Sequence, residues 1–284
     1  MTDTDVFHIG GDLPVRRIGY GAMRLSGAPG ERSGMTAPVW RAPSDRAESI
    51  ALLRGAVERG VNFFDTADAY SLGESEELLA EALRPYRDEV VIATKAGVLR
   101  PSPGEWITHG HPAYLRQQAE LSLRRLGTDR IDLFQLHRVD PEYPLADQIG
   151  ALKRLRDEGK IRHIGLSEVT VAELAEAERT APIVSVQNLY NLSDRVHDPV
   201  VDHTAAHGIA FIPYFPVTTG DLTPHLTALA AELGATPSQL ALAWLLHRAP
   251  NTVPIPGTSS PAHLAENAAA LRLSLTEDQF KRIG

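Results

Sequence analysis

The sequence predicts a single (β/α)8 barrel that spans residues 1–284 and carries an N-terminal β-hairpin. The first observation is an alternation of short apolar segments, typical of buried parallel strands, with longer segments of helical periodicity. The second is that polar residues stand where several of these strands end. The third is that no linker interrupts the alternation. The predicted strands end near Gly21, Asp65, Lys95, His137, Ser167, Asn188, Tyr214 and Ile255.

Helical periodicity fills the stretches between the predicted strands. In the clearest case, apolar residues recur at intervals of three and four on one helix face: Leu145, Ile149, Leu152 and Leu155. Segments of this kind cover residues 48–60, 74–86, 145–160 and 237–248, and a further helix is expected after the Thr/Ser cluster at 258–260. Glycines suited to helix C-terminal caps follow several helices: Gly60, Gly127, Gly159 and Gly208.

The opening segment 7–15 (FHIGGDLPV) predicts a β-hairpin with a Gly-Gly-Asp turn, which we expect to close the N-terminal end of the barrel. The competing fold is a doubly wound α/β sheet, which requires a glycine-rich phosphate turn followed by a helix. The nearest match, residues 19–24, ends in Arg24 instead of glycine, and no helical periodicity follows it. The barrel is therefore the preferred fold.

Composition restricts the classes of function. The chain has no cysteine, which excludes disulfides, thiolate catalysis and cysteine-ligated metals. Its net charge of −8 argues against nucleic acid or an anionic membrane as a partner. Neither a secretory signal nor an apolar run long enough to span a membrane is evident, so a cytoplasmic location is expected. The 11 histidines show no metal-ligand spacing, and we expect no metal.

Four polar residues at or just beyond predicted strand ends point to proton chemistry: Asp65, Tyr70, Lys95 and His137. Because the C-terminal ends of barrel strands converge on one mouth, these side chains are expected to meet there. The Lys95 ammonium should lower the pKa of the Tyr70 phenol, and Asp65 should pair with Lys95. His137 could hydrogen-bond a carbonyl oxygen. Each residue could instead have a local structural role, but four complementary groups at three strand ends favour the chemical interpretation.

A series of motifs extends over nearly the whole chain: GYGAMRL (19–25), GVNFFDTADAY (60–70), VIATKAG (91–97), LFQLHR (133–138), KIRHIGLSEVT (160–170), VSVQNLYN (184–191), FIPYFP (211–216) and IPGTSSPAHLAEN (255–267). In this order they resemble the aldo-keto reductase family, and most closely its bacterial carbonyl and pyridoxal reductase-like members. The resemblance implies that Asp65, Tyr70, Lys95 and His137 form a catalytic tetrad.

The resemblance also implies that NADPH, in preference to NADH, binds in extended form across the barrel mouth. Residues matching the family's contacts to the nicotinamide and its ribose are Gly21, Ala22, Met23, Asp65, Ser167, Glu168, Gln187 and Tyr214, the last stacking on the ring. The neighbouring contacts are Phe215, Pro216, Val217 and Ile255. Those near the phosphates and adenine are Gly257, Thr258, Ser259, His263, Glu266 and Asn267.

The sequence departs from the family's pattern at three places. Glu168 stands where many members have Asn, and an ionised Glu cannot donate a hydrogen bond to the carboxamide. Gly257 and His263 stand where some members carry Lys and Arg near the 2′-phosphate, which weakens selectivity for NADPH. The chain ends at Gly284, without the long C-terminal loop of steroid-binding members, so a more open substrate pocket is expected.

Two long loops on the catalytic side are expected to shape the substrate pocket: Ser26–Ser44 and Gly97–His111. The predicted substrate contacts are Met23, Tyr70, Trp106 and His137. Trp106 is the candidate for the pocket wall, although a lone tryptophan in a loop could equally be packing.

The expected activity is reduction of an aldehyde or ketone to an alcohol by hydride transfer, with Tyr70 as general acid. A specific activity that fits is reduction of pyridoxal, as in pyridoxine 4-dehydrogenase-like members. Two other interpretations stay open, a Schiff-base aldolase that uses Lys95 and a non-catalytic subunit that senses the cofactor. The expected partner is a small carbonyl compound, and the sequence predicts neither the oligomeric state nor the physiological direction of the reaction.

Overall fold

The computed structural model describes residues 5–25, 43, 45–102, 104–217 and 224–283, so the predicted loop Ser26–Ser44 lies outside the described residues apart from Pro43. The strands are β1 (Val6–Ile9), β2 (Leu13–Arg16), β3 (Tyr20–Gly21), β4 (Phe63–Asp65), β5 (Val91–Ala96), β6 (Val98–Leu99), β7 (Ile107–Thr108), β8 (Ile131–Leu136), β9 (Ile161–Ser167), β10 (Ser185–Gln187) and β11 (Ala210–Phe211). The helices are α1 (Arg46–Glu58), α2 (Glu74–Leu83), α3 (Pro112–Leu126), α4 (Leu145–Asp157), α5 (Val171–Glu178), α6 (Asp198–His207), α7 (Pro224–Glu232), α8 (Pro237–Arg248), α9 (Pro261–Ala269) and α10 (Glu277–Ile283).

Seven parallel strands form one curved sheet in the order β3-β4-β5-β8-β9-β10-β11. The eighth position is taken by segment 251–255, which is not a regular strand but bonds to both edges of the sheet. Val253 N donates to Phe211 O in β11 at 2.8 Å, and Gly19 N, just before β3, donates to Pro254 O at 2.9 Å. These bonds close the ring as the predicted (β/α)8 barrel requires.

Two glycines face one another across the closing seam. A Cβ atom at Gly21 would lie 2.7 Å from the carbonyl oxygen of Ile255, and one at Gly257 would lie 2.6 Å from the carbonyl oxygen of Gly21. Neither contact is possible without moving the backbone, because Cβ atoms do not approach oxygen so closely. Barrel closure therefore requires glycine at both positions, independently of any ligand.

The predicted hairpin is formed by β1 and β2, with Gly10 and Gly11 at φ 63° and 84° in the turn. Three of its side chains pack with the residues that fill the barrel interior: Ile9, Leu13 and Val15. The turn residue Asp12 binds Arg162 and His163 near the beginning of β9, at 2.7 Å and 2.6 Å. The hairpin thus closes the N-terminal end of the barrel, opposite the mouth formed by the strand carboxyl ends.

Helix boundaries follow the signals seen in the sequence. Thr236 is the N-cap of α8 and forms a capping box with Gln239. Gly127 and Gly208 cap α3 and α6 in the left-handed conformation, while Gly60 and Gly159 come one residue after the caps of α1 and α4. The helices pack their apolar faces on the outside of the sheet. This arrangement leaves the carboxyl ends of the strands available for a site.

Candidate active site

The four predicted catalytic side chains meet at the carboxyl ends of three adjacent strands. Asp65 ends β4, Lys95 lies next to the end of β5, and His137 directly follows β8. Strand β5 pairs with β4 on one side and with β8 on the other. Tyr70 lies in the loop after β4 and turns its hydroxyl back toward Lys95. None of the four residues is more than 5% exposed, so the groups interact in a site with little water.

Lys95 connects the members of this group. Its ammonium donates to Asp65 Oδ2 at 2.7 Å, to the Thr66 carbonyl at 2.8 Å and to the Tyr70 hydroxyl at 3.5 Å. Burial lowers the pKa of Lys95, but Asp65 and Tyr70 raise it by more, and the pKa lies above its ordinary value. The side chain is therefore a cation at neutral pH, which makes it a poor nucleophile for a Schiff base.

The pKa of Tyr70 is raised, whereas the sequence predicted that Lys95 would lower it. Burial is the largest influence and raises the pKa, Lys95 lowers it in part, and Asp65 raises it again. The prediction counted the charge of Lys95 without the loss of water around the phenol. A phenol that is protonated at neutral pH suits a proton donor, and the adjacent ammonium stabilises the phenolate formed when the proton leaves.

His137 is a neutral imidazole with an unsatisfied atom. Burial, and then the positive charges of Lys95, Arg138 and Arg100, hold its pKa well below the ordinary value. Its Nδ1 atom has no hydrogen-bond partner among the described residues. The ring meets Tyr70 edge to face, with centroids 5.9 Å apart. His137 and the Tyr70 hydroxyl therefore border the same space.

Trp106, a predicted substrate contact, packs beside Tyr70 and His137. Its ring meets His137 edge to face at 5.6 Å, and it packs with Met23 against Tyr70. The guanidinium of Arg100 stacks on Trp106 at 4.5 Å from the ring centroid. The loop Gly97–His111 that carries Trp106 contains the short β6–β7 hairpin. The four predicted substrate contacts therefore form one group.

Two glutamine side chains that hold Asp65 complete this part of the site. Gln187 Nε2 donates to Asp65 Oδ1 at 2.7 Å, and Gln135 Nε2 approaches the same oxygen at 3.3 Å. Gln187 was predicted to hold a carboxamide, but its NH₂ group is engaged by Asp65. Gln135 was not predicted. Its position two residues before His137 in β8 was the available signal, because alternate strand residues share a face.

The ends of β9, β10 and β11 form the other side of the mouth. Ser167 Oγ accepts a hydrogen bond from Arg138 Nη1 at 3.2 Å, a contact that the sequence did not predict. Glu168 follows Ser167 and accepts from the Leu189 amide at 2.6 Å. Burial, and then the nearby Glu168 carboxylate, raise the pKa of Tyr214. Polar atoms and an aromatic side chain thus line this part of the mouth, where β9 lies beside β8.

The segment before α9 has the features of an anion site. The amides of Gly257, Thr258 and Ser259 donate no hydrogen bond to any residue that the structure describes. They precede the N-terminus of α9, which Ser260 caps. The Cβ atom of Arg24 would lie 3.8 Å from a Cβ atom at Gly257. Arg24, which was not among the predicted site residues, thus begins beside this segment, and its guanidinium lies over Phe215.

The other predicted cofactor residues lie along the same rim. The Arg24 guanidinium stacks over the Phe215 ring, 5.4 Å from its centroid. The backbone of Phe215 has a positive φ of 47°. Val217 packs on the cluster that includes Ile18 and Leu242. Four of the remaining predicted cofactor residues are buried: Ala22, Pro216, Ile255 and Asn267. Glu266 is half-buried, and His263 is exposed.

The described residues offer neither a metal site nor a membrane-spanning helix. No group of three or more His, Asp or Glu side chains in that part of the chain could hold a metal ion. None of the described helices is long and apolar enough to cross a membrane.

Sequence comparisons identify related proteins over almost the full length. A family model for the aldo/keto reductase family matches residues 17–284. An uncharacterized oxidoreductase of Schizosaccharomyces pombe is 45% identical over 276 residues, covering 96% of this chain and 87% of the relative. Pyridoxine 4-dehydrogenase of Escherichia coli is 43% identical over 278 residues, covering 94% of this chain and 93% of the relative.

Solved structures share the fold. The aldo/keto reductase from Klebsiella pneumoniae in complex with NADP and acetate has a TM-score of 0.80 and 29% identity, over 98% of this chain and 94% of that one. The glycerol dehydrogenase of Gluconobacter oxydans has a TM-score of 0.87 over 99% and 94% of the chains. At 23% identity, the latter bears on the fold alone. The predicted barrel is confirmed.

Proposed function

Because the chain belongs to the aldo/keto reductase family, we propose that it reduces an aldehyde or ketone to the alcohol with NADPH. The observation that carries the proposal is the buried contact of Lys95 with both Asp65 and Tyr70. A cation fixed beside a protonated phenol lets that phenol give up its proton to a developing alkoxide. We therefore assign Tyr70 as the general acid.

The chemistry of the barrel mouth fits a nicotinamide dinucleotide. Tyr214 offers an aromatic face, and Ser167 supplies a hydroxyl next to it. The open amides of residues 257–259 and the N-terminus of α9 suit phosphate groups, and the Arg24 guanidinium over Phe215 is a cation on the same rim. The Klebsiella pneumoniae relative is a complex with NADP, which favours the phosphorylated cofactor. When bound, NADPH supplies the hydride.

Each protein group around the substrate then has a distinct role. The Tyr70 hydroxyl and the N–H of neutral His137 donate hydrogen bonds to the carbonyl oxygen and stabilise its developing negative charge. The proton on Tyr70 Oη moves to that oxygen, and Lys95 Nζ compensates the charge left on the phenolate. Asp65, held by two glutamine amides, keeps Lys95 charged and in place. A proton from solvent restores Tyr70 for the next turnover.

For the substrate we propose an aldehyde on a flat ring, with pyridoxal as the first candidate. The support is an apolar wall of Trp106 and Met23 beside Tyr70, with Arg100 stacked on Trp106 at 4.5 Å. Aromatic side chains bind flat rings well by stacked or edge-to-face contacts. The Escherichia coli relative named pyridoxine 4-dehydrogenase is 43% identical over 278 residues.

The test compares the wild type with Tyr70→Phe and with the control Tyr86→Phe, which lies before β5 at the other end of the barrel. Binding of NADPH is followed by tryptophan fluorescence. Turnover is followed by the loss of absorbance of the reduced cofactor with a panel of aldehydes and ketones that includes pyridoxal. We expect Tyr70→Phe to bind NADPH normally and to lose roughly 10²- to 10⁴-fold in rate, because proton transfer is lost. Tyr86→Phe should match the wild type.

Other outcomes select other functions. Normal binding by the wild type without turnover of any aldehyde or ketone in the panel would overturn the reductase proposal and support a cofactor-sensing subunit. Failure to bind either NADPH or NADH would also overturn it. Borohydride trapping of a carbonyl compound on Lys95 would then support the Schiff-base aldolase. Wild-type rates in Tyr70→Phe would remove Tyr70 as the acid.

A further inference from the structure

We propose that Glu168 makes the cofactor site favour the oxidised dinucleotide over the reduced one. The inference rests on the proposed function, since it requires the dinucleotide to bind at the barrel mouth. It adds a property that the reductase assignment does not include, namely a bias between the two redox states of the bound cofactor. The bias arises from the position and charge of one carboxylate.

The Glu168 side chain is held firmly in place. Its backbone has φ 57°, a left-handed conformation that is unfavourable for residues other than glycine. In that conformation Oε1 accepts from the Leu189 amide at 2.6 Å. The carboxylate also lies near Tyr214, whose pKa is raised by burial and then by Glu168. The side chain is 25% exposed. These contacts keep a carboxylate in a partly dry position at the end of β9.

The topology places this carboxylate on the side of the mouth where a hydride donor has to lie. Tyr70 and His137, the groups that contact a carbonyl oxygen, follow β4 and β8. A hydride donor must approach the carbonyl carbon from another side than these proton donors. The ends of β9 to β11 provide that side, with Ser167, Tyr214 and Glu168. The nicotinamide ring would therefore bind close to Glu168.

A nearby carboxylate discriminates between the two forms of the ring by charge. The oxidised nicotinamide ring carries a positive charge, and transfer of hydride to it yields a neutral ring. An anion in a partly dry site attracts the first form and has little effect on the second. Two groups lie near this carboxylate on the same side of the mouth. Arg138 donates to Ser167 Oγ, and His197 Nε2 is 4.0 Å from Glu168 Oε2. Removing the Glu168 charge would remove this attraction and would weaken binding of the oxidised form.

The test measures dissociation constants of NADP⁺ and NADPH separately by calorimetry, for the wild type, Glu168→Gln and Glu168→Asp. Gln keeps the length of the side chain and an acceptor for the Leu189 amide but removes the charge. We expect the ratio of the NADP⁺ constant to the NADPH constant to rise roughly 3- to 30-fold in Glu168→Gln. Asp keeps the charge, so its ratio should stay near that of the wild type. Glu176→Gln, an exposed position in α5, is the control for net charge.

The outcomes separate this inference from the function on which it rests. If the wild type binds both forms and Glu168→Gln leaves the ratio within about twofold of the wild type, Glu168 does not bias the site, and the reductase assignment stands. An equal loss of affinity for both forms would show a purely structural role and would also overturn the inference. If the wild type binds neither form, both proposals fail together.

Discussion

A buried carboxylate decides the charge of a buried ammonium at the centre of the site. Burial acts to lower the pKa of Lys95. Asp65, whose Oδ2 is 2.7 Å from Lys95 Nζ, is the strongest of the influences that raise it. Lys95 therefore stays protonated to a pH above the ordinary lysine range. Asp65 also raises the pKa of Tyr70. The pH range over which both groups keep their protons thus depends on one side chain.

The variant Asp65→Asn should therefore lose activity at a lower pH than the wild type. Without the carboxylate, burial lowers the pKa of Lys95, and the pKa of Tyr70 also falls. Both changes move the alkaline limb of the kcat/KM profile toward lower pH, by roughly one unit for each 1.36 kcal/mol of interaction lost. The measurement is a pH–rate profile with one aldehyde, for the wild type, for Asp65→Asn and for a control variant.

The control is Asp129→Asn, an exposed carboxylate in the segment before β8, at the opposite end of the barrel. It changes the net charge by the same amount, so its profile should match that of the wild type. An alkaline limb that stays in place in Asp65→Asn would mean that another group controls the charge of Lys95.

At the level of elements, the turn Tyr70–Gly73 stores backbone strain directly beside the phenol that we propose as the general acid. Ser71, Leu72 and Gly73 all have positive φ, at 50°, 53° and 97°. Only glycine adopts this conformation without cost, and for other residues it costs about 1–2 kcal/mol each. The turn joins Tyr70 to the beginning of α2, so the strain is tied to the placement of the phenol.

Relief of this strain should stabilise the fold. Leu72 is 54% exposed, so its side chain contributes little packing. Asn tolerates the left-handed conformation, and Leu72→Asn should raise the free energy of unfolding by about 0.5–1 kcal/mol. Leu72→Ala is the control, because it removes the same exposed surface and keeps the strain. Urea denaturation measures both variants, and equal stabilities for Asn and Ala would show that backbone strain is not the cause.

Most elements could be predicted from the sequence because each has a local cause. Helical periodicity, capping residues and the Gly-Gly turn act within a few residues of one another. The eighth strand was predicted from the apolar character of residues near Ile255, but the structure forms a bridging segment there. Pro254 and Pro256 lack the N–H groups that a regular ladder needs.

Contacts between distant residues could not be predicted in the same way. Gln135 and Gln187 meet Asp65 across sequence separations of 70 and 122 residues, which depends on the register of several strands. Glu76 lies in the first turn of α2, a helix that the sequence predicts. Its side chain is nevertheless fully buried and accepts hydrogen bonds from Arg125 and Thr94 at 2.5 Å each. Residue type alone indicates an exposed glutamate there, and only the packed barrel provides its partners.

At the scale of the whole molecule, the barrel separates stability from chemistry along its axis. The site lies at the carboxyl ends of the strands, and the N-terminal hairpin fills the opposite end. Residues at the bottom of such a barrel act mainly on stability, whereas residues at the mouth act on catalysis. Two neighbouring hairpin residues allow a direct test of this separation, since Ile9 is fully buried and His8 is exposed.

The variant Ile9→Ala should lower the free energy of unfolding by about 2–4 kcal/mol, because it leaves a cavity among the residues of the barrel interior. His8→Ala, one residue earlier in β1, should change it by less than about 0.5 kcal/mol. Both variants should keep the wild-type kcat at temperatures where they are folded, since neither position touches the mouth. Denaturant titration and steady-state rates measure the two effects separately. A fall in kcat for folded Ile9→Ala would mean that packing at the bottom of the barrel controls the geometry of Lys95 and Tyr70 at its mouth.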